Sequence, residues 1–327
     1  MKILFIGGTG NISTAASRLT LERGIDLYHL NRGNTKVEVP GVKTILGDIN
    51  KPKELFELVK HDWDVVVNWI AFTPEDIERD ISLFKGKTKQ YIFISSASCY
   101  QTPLRYPVIT ESTPLYNTLW DYSYEKIKCE DRLMRAYREE GFPITVVRPS
   151  LTYDTVIPIA IGGFKEYTTA DRILKGKEII VHGDGTSLWT VTHSDDFAIG
   201  FVGLLGLTQA IGHAFHITSD EILSWNTIYK ILAESLGREA NIVHIASDFI
   251  CKIEPSFTGT LLADKAESVI FDNTKIKTFV PEFKAIIPFA MGIKRTLNWL
   301  DENPDRKIIN ADKNKKIENV LNAYAQL

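Results

Sequence analysis

The chain has 327 residues, of which 44% are hydrophobic and 24% charged, which excludes a disordered, collagen-like or coiled-coil chain and leaves room for about two domains. Its 38 basic and 41 acidic side chains give a net charge of −3, so there is no general positive field with which to grip nucleic acid or an anionic membrane. Three scattered cysteines, Cys99, Cys129 and Cys251, make neither a disulfide framework nor a zinc site, and the cytoplasm is the expected setting.

The N-terminal MKILFIGG is too short for a signal-peptide core and predicts a buried strand. Further along, DLYHL, DVVVNWIAF, QYIFIS and ITVVRP are short apolar runs, and helical patterns fall between them: ISTAASRLTLERG, PKELFELVK, and a long helix from Trp120 to Tyr137. Strands apolar on both faces that alternate with helices predict a parallel sheet covered on both sides, a doubly wound α/β domain of the Rossmann type. After Pro149 the rhythm loosens. The run IIVHGDGTSLWTVTHSDDFAIGFVGLLG predicts a turn, a strand, an aspartate-capped helix start at 194–196 and a buried helix; at its end, Phe197 to Leu207 is far shorter than the roughly 20 residues a bilayer requires. GHAFHITS predicts another strand and SWNTIYKILAESLG an amphipathic helix stopped by glycine. Ile317, Val320, Leu321 and Tyr324 recur at helical spacing and predict a last helix docked on the body. The expected division is a dinucleotide-binding domain at 1–158, to which 189–222 return, and a smaller α+β substrate lobe formed by 159–188 and 223–327.

Strand one runs straight into Gly7-Gly8-Thr9-Gly10-Asn11-Ile12-Ser13, a glycine loop between a strand and a helix. That context suits a dinucleotide: Gly7 makes the tight turn, Gly10 lets backbone approach a pyrophosphate, and the helix N-terminus offers free N–H groups to the anion. Ser13 stands at the third glycine position and could add a hydroxyl donor to phosphate. Strand two ends in Asn31-Arg32-Gly33, with no carboxylate to hold a ribose hydroxyl, so Arg32 favours NADP, with NAD as the alternative. Asp48, past strand three, is placed to accept a hydrogen bond from an adenine amino group.

Tyr122 and Lys126 stand four apart, on one face of the long helix. A free tyrosine has a pKa of about 10, and a neighbouring ammonium favours the phenolate, so Tyr122 is a candidate proton donor or acceptor. Strand five ends in Ile94-Ser95-Ser96-Ala97-Ser98 at the carboxyl edge of the sheet, which makes Ser96 the candidate to hold a substrate oxygen. The seven histidines show no metal-ligand spacing, so no metal is expected.

Taken together, GGTGNIS, Gly47-Asp48, Asn68-Trp69-Ile70-Ala71, SSASCY, the tyrosine–lysine pair followed by Glu130, Arg148-Pro149 and GDGTSLWTVTHSDDFA resemble the extended branch of the short-chain dehydrogenase/reductase superfamily, the NAD-dependent epimerase/dehydratase family. The resemblance covers most of the chain. Tyr124 and Lys128 share the spacing of the first pair, but only Lys126 is followed four residues later by a glutamate as the family pattern has it. The resemblance implies Tyr122 as general acid/base, Lys126 bonding the nicotinamide ribose and lowering the tyrosine pKa, and Ser96 polarising the substrate carbonyl or alcohol. It further implies that Gly7, Gly10, Asn11, Ile12, Ala71 and Pro149 hold the cofactor beside Arg32 and Asp48, and that the chain pairs into a homodimer through two long helices.

Two departures bear on substrate. Trp189 occupies the position after the Gly-Asp-Gly turn where sugar-nucleotide enzymes of the family carry an arginine, and an indole packs against apolar groups but cannot neutralise a diphosphate. Asp154 stands where many members have glycine, and a carboxylate there disfavours anions. The expected function is therefore an NAD(P)-dependent oxidoreductase acting on a small, largely uncharged carbonyl or alcohol, with Ser98 and Trp189 facing it and with no nucleic-acid or membrane partner. The alternatives are a nucleoside-diphosphate-sugar epimerase or dehydratase, and a non-catalytic dinucleotide-sensing or RNA-associated protein.

Overall fold

In the first strand every residue after Lys2 is buried, and the later core strands are nearly as closed, because helices cover both faces of the sheet they form. The computed structural model describes residues 1–34, 37–51, 55, 58 and 60–327. Strands β1 (Lys2–Ile6), β2 (Asp26–Asn31), β3 (Lys43–Leu46), β4 (Trp63–Asn68), β5 (Thr88–Ile94), β6 (Ile144–Pro149) and β7 (Ala214–Ile217) build one sheet in the order β7-β6-β5-β4-β1-β2-β3. All of its pairings are parallel. The order reverses beside β1, which opens a crevice at the carboxyl ends of β1 and β4.

Among the described residues, four helices sandwich this sheet: α1 (Ser13–Glu22), α2 (Pro74–Phe84), α3 (Asp121–Glu140) and α4 (Ser194–Leu204). On one face α1 and α4 bury Ala15, Ala16, Phe197 and Phe201 against Phe5, Val67 and Ile92. On the other, Ile77 and Ile81 of α2 and Cys129 and Leu133 of α3 pack on Leu4, Val66 and Phe93. The alternating-run reading placed no helix between β4 and β5, yet the start of α2 is written locally. Thr73 accepts from the Asp76 N–H, Asp76 reaches back to the Thr73 N–H, and Pro74 occupies the first turn. The expected helix at PKELFELVK lies mostly outside the described residues.

Beyond β6, apart from α4 and β7, the chain packs around a further core. A parallel pair of strands, Ile179–His182 with Ile242–Ile245, lies near α5 (Trp225–Ser235) and α6 (Phe289–Glu302), over a core that contains Trp189, Trp225, Tyr229 and Phe289. Helix α7 (Ala311–Tyr324) docks through buried Ile317, Val320 and Leu321, while Tyr324 stays exposed, edge-on to Phe249. Among the described residues no helix is long and apolar enough to cross a membrane.

Candidate active site

The glycine loop begins where β1 ends. Gly7 holds φ at +84°, in the left-handed region, and a Cβ on it would lie 2.6 Å from Ile70 Cγ2, so any side chain there is strained and crowded at once. The loop is tied from within. Ser13 Oγ accepts from the Gly10 N–H at 2.8 Å and donates to the Gly7 carbonyl at 3.1 Å, which corrects the reading of Ser13 as a phosphate donor. Asn11 is also engaged: its side chain donates to Thr152 O and accepts from the Asp154 N–H, both at 3.0 Å, pinning the loop to the strand exit after β6. What the loop leaves outward is backbone, chiefly the N–H groups of the first turn of α1.

Helix α3 sets Tyr122 and Lys126 one turn apart over the exit of β5. Lys126 is 2% exposed; its ammonium donates to Ala71 O at 2.7 Å and Ile94 O at 2.8 Å and sits 4.5 Å from the Phe72 ring centre and 5.9 Å from that of Tyr122. Burial pulls its pKa down to about 8. Burial drives Tyr122 the other way, up to about 12, and the nearby Ser96 hydroxyl only opposes that rise. The expectation is a phenol lowered by its lysine; in this structure burial raises it instead. Ser96 Oγ lies 2.9 Å from Ser98 Oγ, which accepts from Ser123 Oγ at 2.7 Å. Behind them Glu130 accepts from Ser95 Oγ and from Arg148, each at 2.5 Å, and so locks α3, β5 and β6 together. The second pair lies elsewhere: Tyr124 is exposed, and Lys128 is bonded to Glu125.

Gly7, Gly10, Ile12, Ser96, Tyr122 and Lys126 line one continuous cleft of about 720 Å³, which Asn11, Ser98 and Pro149 also border. Ala71 is fully buried and contributes its carbonyl to Lys126, so the cleft surface at the exit of β4 belongs to Trp69, Ile70 and Phe72. Phe72 and Trp120 flank the Tyr122 ring at 6.4 and 5.1 Å between centres. Neither was singled out from sequence, because neither falls in a motif. Trp189 lines the far wall, 3% exposed and 5.7 Å from Trp225, and its indole N–H has no partner among the described residues. Asp154 is outside the lining and faces Arg18 at 3.4 Å, so the bearing on substrate charge read from its position does not hold. Arg32 and Asp48 also lie outside the lining; Arg32 is exposed at the exit of β2, where Asn31 registers with Leu46 just before Gly47-Asp48. Among the described residues no cluster of histidine, cysteine or carboxylate could hold a metal.

Residues 3–217 match the model of the NAD dependent epimerase/dehydratase family. The chain belongs to that family. It is 28% identical over 169 residues to a UDP-glucose 4-epimerase of Lactobacillus helveticus, covering 45% of this chain and 51% of that protein. It is 24% identical over 259 residues to a chloroplast stem-loop binding protein of Arabidopsis thaliana, covering 74% of this chain and 65% of the other. The matched segments thus span about half and just under two thirds of these relatives. In fold it is similar to a UDP-glucuronic acid 4-epimerase of Bacillus cereus solved with UDP-glucuronic acid and NAD, with a TM-score of 0.73 and 18% identity over 93% of this chain and all of that one.

A glycine at positive φ, an open helix N-terminus and a cleft reaching from that loop to Tyr122 fit a dinucleotide laid across the crevice at β1 and β4.

Proposed function

We propose that this chain is an NAD(P)-dependent oxidoreductase that interconverts a carbonyl and an alcohol on a small substrate, with Tyr122 as general acid/base. The observation that carries this reading is that Ser96, Tyr122 and Lys126 border the same cavity as the Gly7 loop. When bound, a nicotinamide supplies or takes up the hydride. Ser96 then donates a hydrogen bond to the substrate oxygen, and Tyr122 delivers its phenolic proton to that oxygen. Because burial pushes the phenol up to about 12, Tyr122 carries the proton that the acid role requires. Lys126 keeps a positive charge beneath the site while protonated. Arg32, exposed and with no acidic residue beside it in Asn31-Arg32-Gly33, suits a 2′-phosphate and favours NADP. Asp48 lies on the adenine side. A homodimer through α2 and α3 belongs to the same reading.

A second reading, a sugar-nucleotide epimerase or dehydratase, draws on the names of the relatives; Trp189, buried against Trp225 where a diphosphate-gripping arginine would stand, speaks against it. One experiment tests both. Turnover is measured with NADPH and NADH against a panel of aldehydes and ketones, and by product analysis against UDP-sugars, for the wild type and for Tyr122→Phe. The expected result is net cofactor oxidation with carbonyls, lowered about 10²- to 10⁴-fold in Tyr122→Phe while NADPH affinity stays within twofold. Turnover of UDP-sugars without net cofactor change selects the second reading, and activity that survives in Tyr122→Phe overturns the proton-transfer role.

A further inference from the structure

An imidazole that plays no part in the proposed chemistry is packed directly against the glycine loop. His29 of β2 is 2% exposed and lies outside the cleft lining; its ring stacks on that of Phe5, its register partner on β1, with 6.0 Å between centres and 11° between planes. A Cβ on Gly8 would fall 2.3 Å from His29 Nε2 and 2.5 Å from each of the two ring carbons beside it. Gly8, unlike Gly7, does not hold a positive φ, so what forbids a side chain there is the imidazole. Burying such a ring carries a desolvation penalty that an aliphatic side chain on the same strand would avoid, unless its hydrogen bonds are made.

Those bonds run in one direction. Burial lowers the His29 pKa to about 4, so near pH 7 the ring is neutral and has a single N–H. Ser17 of α1, itself fully buried, places Oγ 2.8 Å from His29 Nε2, 2.8 Å from Ser13 O and 3.2 Å from Gly8 O. A hydroxyl has one hydrogen, and the two carbonyls can only accept it; the contact with the ring is therefore satisfied by His29 Nε2–H donating to Ser17 Oγ. That leaves Nδ1 as an acceptor, and the Asn31 side-chain amide donates to it at 3.5 Å. One chain of donors thus passes from Asn31 at the tip of β2, through His29 and Ser17, to the carbonyls of Ser13 and Gly8 in the loop.

We propose that His29 is a positioning residue for the cofactor groove: through Ser17 and Asn31 it ties the glycine loop to the tip of β2, so that the two edges of the groove hold one spacing. The loop is the edge that would meet a pyrophosphate and the strand tip the edge that would meet an adenosine ribose. His29 touches neither, since Gly8 lies between it and the loop surface. The proposal rests on the dinucleotide part of the reading above and not on hydride transfer. Backbone N–H groups hold an anion only where the turn that presents them is fixed, and here the fixing comes from beneath.

The test measures NADPH and NADH affinity of the full chain by titration of nucleotide fluorescence, with the thermal midpoint of each variant as the check on folding. His29→Leu keeps much of the volume and removes both bonds, and is expected to weaken both nucleotides about tenfold. His29→Gln, whose amide can both donate and accept, is expected to recover affinity to within about threefold of wild type. Ser17→Ala and Asn31→Ala are then made singly and together. If His29 joins them, each alone weakens binding, and the double variant binds within about twofold of the weaker single one. This coupling is a readout that a purely structural histidine would not produce, and it decides the matter even where His29→Leu fails to fold. The relay is overturned if His29→Leu folds and binds both nucleotides within twofold of wild type, if His29→Gln is no better than His29→Leu, or if the Ser17 and Asn31 effects multiply. Wild type that binds neither nucleotide removes the groove, and the relay falls with it. Wild type that binds them but turns over no carbonyl overturns the oxidoreductase reading alone, and the relay stands on the affinities.

Discussion

The two walls of the cleft are built on different principles. The glycine-loop side, proposed to hold the cofactor, is made of backbone: Gly7 at positive φ, the first turn of α1, and the carbonyls of Ala71 and Ile94 that hold Lys126. The far side is made of side chains gathered from distant segments, with Phe164 and Lys165 in one loop, Trp189 on a short strand and Lys313 on α7. A backbone site tolerates almost no change, because one added methyl group blocks it. A side-chain site can be rewritten one residue at a time, which lets one fold serve many substrates.

The largest effect expected from this contrast is at Gly7. Gly7→Val sets a β-branched residue at φ +84° with its Cβ 2.6 Å from Ile70, so we expect NADPH affinity to fall about 100-fold and stability by about 2–3 kcal/mol, read by fluorescence titration and thermal unfolding. A variant that binds as the wild type does would show that the cofactor wall is as adaptable as the far wall.

An intermediate effect is expected from Lys126. Its pKa is lowered to about 8, so the ammonium is present below that value and lost above it. If the charge serves the cofactor, NADPH affinity should drop about tenfold between pH 7 and pH 9, and the dependence should vanish in Lys126→Met. A flat profile in the wild type would remove the ammonium from cofactor binding. The smallest effect is expected at Trp189: Trp189→Phe keeps an aromatic against Trp225, so cofactor affinity should stay within twofold while KM for a carbonyl substrate moves by about threefold or less. A change in cofactor affinity larger than the change in KM would break the division between the walls.

Much of the glycine-loop wall was legible in the sequence because its devices are local. A strand running into Gly7-Gly8-Thr9-Gly10, and a tyrosine and lysine one helical turn apart, need only chain geometry to be placed. Local reading still erred where a neighbour in space took over a group. Ser13 turned inward to Gly7 O, Asp154 turned to Arg18, and the Tyr122 phenol rose through burial rather than falling through Lys126. Phe72, Trp120, Phe164 and Lys313 carry no motif, and nothing in their surroundings along the chain sets them apart.

By itself the sequence determined the parallel sheet, the glycine turn and the spacing of Tyr122 and Lys126, since hydrophobic periodicity, glycine φ and helix pitch act over a few residues. Only the tertiary structure decided which hydroxyls and carboxylates were already engaged, how far burial moved the phenol and the ammonium, and which side chains border the cleft. Those outcomes depend on dielectric surroundings and on partners such as Arg18 and Asp154, which are 136 positions apart in the chain.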